Sequence, residues 1–365
     1  MHIPLSLGRA FSRIRAGRFM SFGPSAFASI VMPALNEEKY IADAIRSITP
    51  RDGEGFNYEI LILDGGSSDQ TVSIVESLAV DNPRIRLIKN ERRSQAAAMN
   101  IAARAADARS DILVRADCHA DYPPGFVSKC IETMRAKEVA SVVVSMNTRG
   151  KTCLQRAIAA AQNSIIGNGG SAHRIAGRSG YVDHGHHAAF DRSEFVELGG
   201  YDESFTHNED AEFDVRLVRA GRRIYLSDLS ITYFPRSDFV SLARQYFKFG
   251  WGRANTIIKH RARPKLRQIM PLLVLLGCSG ALLLAAFHWL FLLPVGLYAA
   301  LCIGWGLMAA YRQRDLCLSA AGPAAMVMHL SWGVGAAARI VRLGIDRFFP
   351  TRASVPMRTP SASQG

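Results

Sequence analysis

The 365-residue chain predicts an α/β protein with a mostly parallel sheet, followed by a C-terminal transmembrane helical region. Three observations carry this. Between residues 29 and 147, short runs rich in Ile, Val and Leu alternate with helix-like segments. From Gln268 to Tyr311 there is no Asp, Glu, Lys or Arg, enough for two spans of about 20 residues each. A third uncharged run extends from Leu316 to Ala338.

The apolar runs are SIVMPAL (29–35), YEILILD (58–64), IRLIKN (85–90), DILVRAD (111–117) and VASVVVSMN (139–147). Helical patterns fill 38–48, 69–79, 94–108 and 124–136 between them. Strands joined by helices need right-handed crossovers, which build a mostly parallel sheet with helices on both faces. Ligands of such sheets bind beyond the strands' carboxyl ends, where this chain places Asn36 and Glu37, Asp64, and Asp117 with His119. The stretch 148–235 is less regular and rich in Gly and His. Within it NEDAEFDVRLVRAG reads as a helix closed by Gly221, and RRIYLSD as a further strand.

The net charge is +13, with Arg261, Arg263, Lys265, Arg267, Arg312 and Arg314 beside the apolar runs. No base-stacking or helix–turn–helix module accompanies the charge, so a nucleic-acid partner is not expected. The positive-inside pattern instead places the soluble part in the cytoplasm. A third full crossing would put Arg339, Arg342 and Arg347 outside, so 316–338 is either a third crossing or a re-entrant or in-plane segment. The first 27 residues carry Arg9, Arg13, Arg15 and Arg18 without a signal-peptide core. They read as an interfacial helix or as a disordered basic arm. The chain thus divides into that arm (1–27), a globular domain (28–255), a basic linker (256–267), a membrane region (268–347) and a disordered tail (348–365). Six scattered cysteines show no paired spacing, which fits a reducing compartment.

Several carboxylates stand where chemistry would need them. In ILILDGGSSDQT the glycines and serines explain a turn, with Ser68 or Asp69 as a helix cap. They do not require Asp64, whose carboxylate could accept hydrogen bonds from a nucleobase or ribose. In MPALNEEKY, Asn36 reads as a helix cap, and Glu37 serves either the helix dipole or a ligand. In RADCHADYPP, Asp121 reads as a cap, whereas Asp117 and His119 lie two residues apart on extended chain and point to one side. Both could approach one ion on a diphosphate, and imidazole suits Mn²⁺ better than Mg²⁺. Alternatively His119 contacts phosphate directly. In GGYDESFTHNEDAEFDVRL, Asp214 and Arg216 read as a solvated face. Glu209 and Asp210 sit at the loop-to-helix junction, where an acid can take a proton from a sugar hydroxyl. The histidines of DHGHH, at 184, 186 and 187, lack helical zinc spacing and read as a polar loop lining the cleft. ARQYFKFGWGRAN reads as a juxtamembrane belt or as a cover for a diphosphate.

Taken in order, VMPALNEEKYI, ILILDGGSSDQT, the segment ending in DILVRADCHADYPPGF, and GGYDESFTHNEDAEFDVRLVRAG resemble glycosyltransferase family 2, with its GT-A fold, over about residues 28–255. Asp117-x-His119, PRSDFVSLARQYFKFGWGRANT and HLSWGVG are similar to the succinoglycan-type exopolysaccharide glucosyltransferases. The resemblance implies Asp64 on the uracil ring, Pro33 and Glu37 beside the donor, and Asp117 with His119 on a Mn²⁺ or Mg²⁺ ion and the diphosphate. It implies Asp210 as the base, and Glu209, Gln245, Lys248, Trp251 and Arg253 around the acceptor or diphosphate. Processive members carry Gln-x-x-Arg-Trp. Here Gln245 is followed by Lys248 and Phe249, which favours transfer of a single sugar. The spans are also too few for a dedicated polymer channel, so the implied reaction is an inverting transfer of one sugar from a UDP-sugar to a polyprenyl-diphosphate-linked saccharide at the bacterial inner membrane, alongside other polysaccharide-assembly enzymes. A degenerate scaffold would be expected to lose Asp64, Asp117 or Asp210, and all three are present. A transporter would need ionisable groups in its spans, where only His288 and His329 occur.

Overall fold

The computed structural model describes residues 26–51, 53–171 and 177–348. The basic arm and the tail lie outside the described residues, save for Ala26, Phe27 and Phe348. The first half alternates as expected: β1 (Phe27–Ala34), α1 (Ile41–Ile48), β2 (Asn57–Asp64), α2 (Thr71–Asp81), β3 (Ile85–Lys89), α3 (Gln95–Ala105) and β4 (Ile112–Arg115). β1 pairs in parallel with β2 and β4, and β2 with β3. Ile30, Ile60, Ile62, Ile112 and Val114 are fully buried, as strands covered on both faces must be. α1 shows why the layers adhere. Ile41, Ala44, Ile45 and Ile48 recur at helical spacing and are all buried, and each buried Ile contributes about 1.5–3 kcal/mol.

The second half departs from simple alternation. β5 (Ala120–Asp121), α4 (Phe126–Lys137), β6 (Ser141–Thr148), α5 (Cys153–Gln162), α6 (Ile165–Asn168) and β7 (Gly180–Val182) come first. β8 (His186–Asp191), α7 (Arg192–Glu197), α8 (Glu209–Arg219), β9 (Ile224–Tyr233) and α9 (Phe239–His260) follow. The sheet order is β3-β2-β1-β4-β8-β6-β9-β5, with β7 also on β9. β8 runs antiparallel between β4 and β6, so the histidine-rich stretch is largely a central strand rather than a loop. Two cap assignments also change. Asn36 accepts from the Ser68 amide instead of capping α1, and Asp121 lies in β5 while Gly125 precedes α4. Gly221, at φ +76°, does close α8.

The C-terminal part forms α10 (Leu266–Leu284), α11 (Leu292–Gln313) and α12 (Ala321–Phe348). All three are long and apolar enough to cross a membrane. α12 lies against α9 with backbone on backbone. A Cβ on Gly250 would meet the Trp332 carbonyl at 2.0 Å, and one on Gly335 would meet the Phe247 carbonyl at 2.0 Å. Cys153 and Cys317 are joined in a disulfide across 164 residues. This corrects the expectation of unpaired cysteines, since partners so far apart leave no local spacing to read.

Candidate active site

The ends of β1, β2 and β4, the turn into β8, the start of α8 and one face of α9 converge on a cleft. Asp64 ends β2 and is buried. Its carboxylate accepts from the amides of Gly66 (2.8 Å) and Ser67 (3.2 Å) and from the Ser67 hydroxyl (2.6 Å). Gly66, at φ +83°, lets the loop fold back over it. The turn therefore uses most of the lone pairs of Asp64.

Pro33, Glu37, Asp117 and His119 come together at the neighbouring strand ends. The Pro33 carbonyl accepts from the Cys118 thiol at 3.3 Å. Glu37 Oε1 lies 3.8 Å from His119 Nδ1. Asp117 Oδ1 is 3.4 Å from Arg115 Nε, and Oδ2 is 3.6 Å from His186 Nε2. Burial would raise the Asp117 carboxyl, but Arg115, His186 and His119 outweigh it and bring it down to about 2. Burial, partly offset by Asp117, lowers His186 to about 4. For His119 burial is outweighed by Glu37 and Asp117, so its pKa is raised.

Arg115 links this cluster to α8. Its guanidinium is buried, with Nη1 3.5 Å from Glu209 Oε1 and from the Tyr201 hydroxyl, and Nη2 donating to Gln95 Oε1 at 3.2 Å. Asn208, at φ +63°, turns the chain into α8 and donates from Nδ2 to the Phe249 carbonyl at 2.9 Å. Glu209 and Asp210 then open the helix. Burial and the adjacent Asp210 raise Glu209. For Asp210 burial acts the same way but is outweighed by His184, His187 and Arg115, so its carboxyl falls below the usual range. Its carboxylate accepts the Ala211 amide at 2.7 Å and keeps lone pairs for a substrate.

Behind Asp210 lies a network that the sequence reading missed. Asp214 is fully buried rather than solvated, because both its oxygens are held: Oδ2 by His184 Nδ1 (2.8 Å) and Oδ1 by His187 Nε2 (2.7 Å). Arg216 is also not on a solvated face, since it grips Glu212 and the carbonyls of Leu198 and Gly200. His187 Nδ1 meets the Tyr201 hydroxyl at 2.6 Å. Arg253 Nη2 lies 3.0 Å from His184 Nε2. Because a guanidinium only donates, that contact makes His184 Nε2 the acceptor and leaves Nδ1 to donate to Asp214. The available signals were an arginine inside an apolar strand (LVRAD) and histidines alternating with small residues (HGHHAAF).

α9 carries the remaining expected residues, but at different places. Arg253 is beside Asp210. Gln245 donates to the Tyr233 hydroxyl at 3.1 Å, and that ring packs edge-on against His119. Lys248 and Trp251 line a separate cavity with His207 and Asn255. Burial, then Lys248 and Arg236, lower His207 to about 4.

Among the described residues, no group of three or more His, Cys, Asp and Glu side chains is gathered as a metal cage. The set still fits a cation shared with a substrate. A hard ion on a diphosphate needs only one or two protein carboxylates, the phosphates and waters supplying the rest; Asp117 offers one, and His186 Nε2, 3.6 Å from its Oδ2, adds a nitrogen donor of the kind that suits Mn²⁺.

The glycosyl transferase family 2 model matches residues 29–199. The succinoglycan biosynthesis protein ExoA of Rhizobium meliloti (strain 1021) is 45% identical over 312 residues, covering 85% of this chain and 94% of that protein. A dolichyl N-acetyl-alpha-D-glucosaminyl phosphate 3-beta-D-2,3-diacetamido-2,3-dideoxy-beta-D-glucuronosyltransferase of Methanococcus voltae is 28% identical over 242 residues, covering 64% and 74%. Among solved structures, the mannosyltransferase PcManGT from Pyrobaculum calidifontis, in complex with GDP-Man and Mn²⁺, superposes with a TM-score of 0.53 at 19% identity over 86% of both chains. The chain belongs to glycosyltransferase family 2, as a glycosyltransferase of GT-A fold.

Proposed function

We propose that this enzyme moves one sugar, glucose, from a UDP-sugar to a polyprenyl-diphosphate-linked oligosaccharide, with inversion, during exopolysaccharide assembly. The observation that carries this reading is Asp210. It is half-buried, ionised and free to accept, at the first turn of α8 and on the cleft shared with Asp117. In the reaction the acceptor O–H proton passes to Asp210, the oxygen bonds to the anomeric carbon, and the bond from that carbon to the diphosphate breaks to release UDP.

Asp117, with His119 or His186, would hold a Mn²⁺ or Mg²⁺ ion, which when bound neutralises charge gathering on the leaving diphosphate. Asp64 shapes the loop that meets the uracil, with Pro33 and Glu37 beside the donor. Arg115 keeps Asp117 and Glu209 in register, and Arg253, steadied by His184, stands beside Asp210. Gln245 would stand on the donor side, on the Tyr233 that packs against His119, and Lys248 and Trp251 would face the acceptor from their own cavity. The relative from Rhizobium supports a role in exopolysaccharide synthesis, and the Mn²⁺ complex of the mannosyltransferase supports a cation. Residues 28–255 are then the catalytic domain and 268–347 its anchor in the bacterial inner membrane, with the domain on the cytoplasmic side and other assembly enzymes nearby.

The test is UDP release by membranes given UDP-glucose, a divalent cation and a pool of lipid-linked oligosaccharide. Asp210→Asn is expected to lower the rate by about 10²–10⁴-fold while UDP binding persists. Turnover close to wild type in that variant would remove Asp210 as the base.

A further inference from the structure

We infer that the cavity between the loop before α8 and α9 is a binding site for a lipid-borne phosphate ester, completed by Arg339 of α12. The cavity measures about 270 Å³ and is lined by Thr206, His207, Phe247, Lys248, Trp251 and Asn255, among others. No carboxylate lines it. Its polar lining is dominated by groups that donate, as an anion site requires.

Arg339 stands just behind that wall. Its Nε donates to Asn255 Oδ1 at 2.9 Å, and its guanidinium carbon lies 5.9 Å from the centre of the Trp251 ring. Two buried nitrogens here have no protein partner among the described residues: His207 Nδ1 and Arg339 Nη1. Buried polar atoms are nearly always paired in native proteins, so an orphan on the cavity wall and a second on the arginine bonded to that wall point to a ligand that pairs them. Arg339 is the first charged residue after the uncharged run 316–338, where a cation meets the headgroup level of a bilayer.

The position favours a phosphate carried on a lipid. Arg339 belongs to the third apolar helix, and His207 on the cavity wall lies three residues before Asp210. Assigning the ester to the acceptor's carrier rests on the transfer reading above. The anion chemistry of the cavity does not.

The full chain in detergent would be titrated calorimetrically with farnesyl diphosphate, farnesol, inorganic pyrophosphate and phosphatidylglycerol micelles, with UDP as an independent ligand. Farnesyl diphosphate is expected to bind saturably and farnesol not. Arg339→Gln should weaken that binding about tenfold or more, as loss of a charge-assisted contact does. Lys248→Gln reaches the same cavity without touching α12, so it should weaken binding even where the α12 variant fails to fold. Stronger binding of farnesyl diphosphate than of phosphatidylglycerol assigns the ester to a carrier lipid, and the reverse assigns it to a headgroup. Equal binding of farnesol, pyrophosphate alone matching the lipid ester, or affinity unchanged in both variants would overturn the site. Because the titration needs no sugar donor, failure of UDP-glucose turnover would defeat the transfer reading and leave this site standing.

Discussion

His186 shows how a single side chain couples the cleft to stability. Burial beside Asp117 brings its folded pKa down to about 4 from the ordinary 6.5. Between those values the unfolded chain binds a proton that the folded chain refuses, so stability falls as pH drops from 6.5 to 4. His207 acts with the same sign. His119, whose folded pKa is raised, acts oppositely, and its contribution is lost as pH rises through that value. Thermal unfolding of the full chain should therefore drop between pH 7 and pH 5, and less steeply in His186→Gln. An identical slope in the variant would show that His186 is not buried as a neutral ring. The carboxylates of this cleft were legible in the sequence because each follows a readable strand or opens a readable helix. Arg115, His184 and Asp214 were not, since their roles depend on pairings across 20 to 94 residues, which no local pattern encodes.

At the scale of elements, the parallel half of the sheet was legible because each buried strand is a near-continuous apolar run. β8 was hidden by its histidines, which read as a polar loop. Its place in the sheet comes from pairing with β4 and β6, and His187 is tolerated there because Asp214 and Tyr201 satisfy both ring nitrogens. The disulfide is another long-range fact. It ties the start of α5 to the 3-10 turn Leu316–Ala320, with Arg156 and Asp315 paired 3.4 Å apart beside it. Closing a loop of that length is worth up to about 5 kcal/mol by chain entropy. Cys153→Ser is expected to lower the unfolding temperature under oxidising conditions and to have no effect once the wild type is reduced. Alkylation in intact cells also reports sidedness, because such bonds persist in oxidising compartments. Capture of Cys153 without prior reduction would agree with a cytoplasmic domain, and protection until reduction would oppose it.

At the scale of the molecule, three helices suited to a bilayer do not share one environment. None of the apolar window of α10 is buried within the protein, whereas 33% of that of α12 is. α12 spends that surface on α9, and α9 in turn presses Gly252 against the His207 carbonyl, where a Cβ would come within 2.6 Å. Packed backbone deforms little before it shifts as a unit. With these helices in a bilayer, the membrane would be a mechanical boundary condition on the cleft: a change in hydrocarbon thickness tilts a helix, and a tilt of α12 would be delivered through α9 to the turn that carries Asp210. Turnover in vesicles of short-chain and long-chain lipids should differ while UDP affinity stays level, and equal rates would show α9 to be uncoupled from its neighbour. Lateral pressure in the membrane would then be an input to this enzyme, as much as the concentration of its substrates.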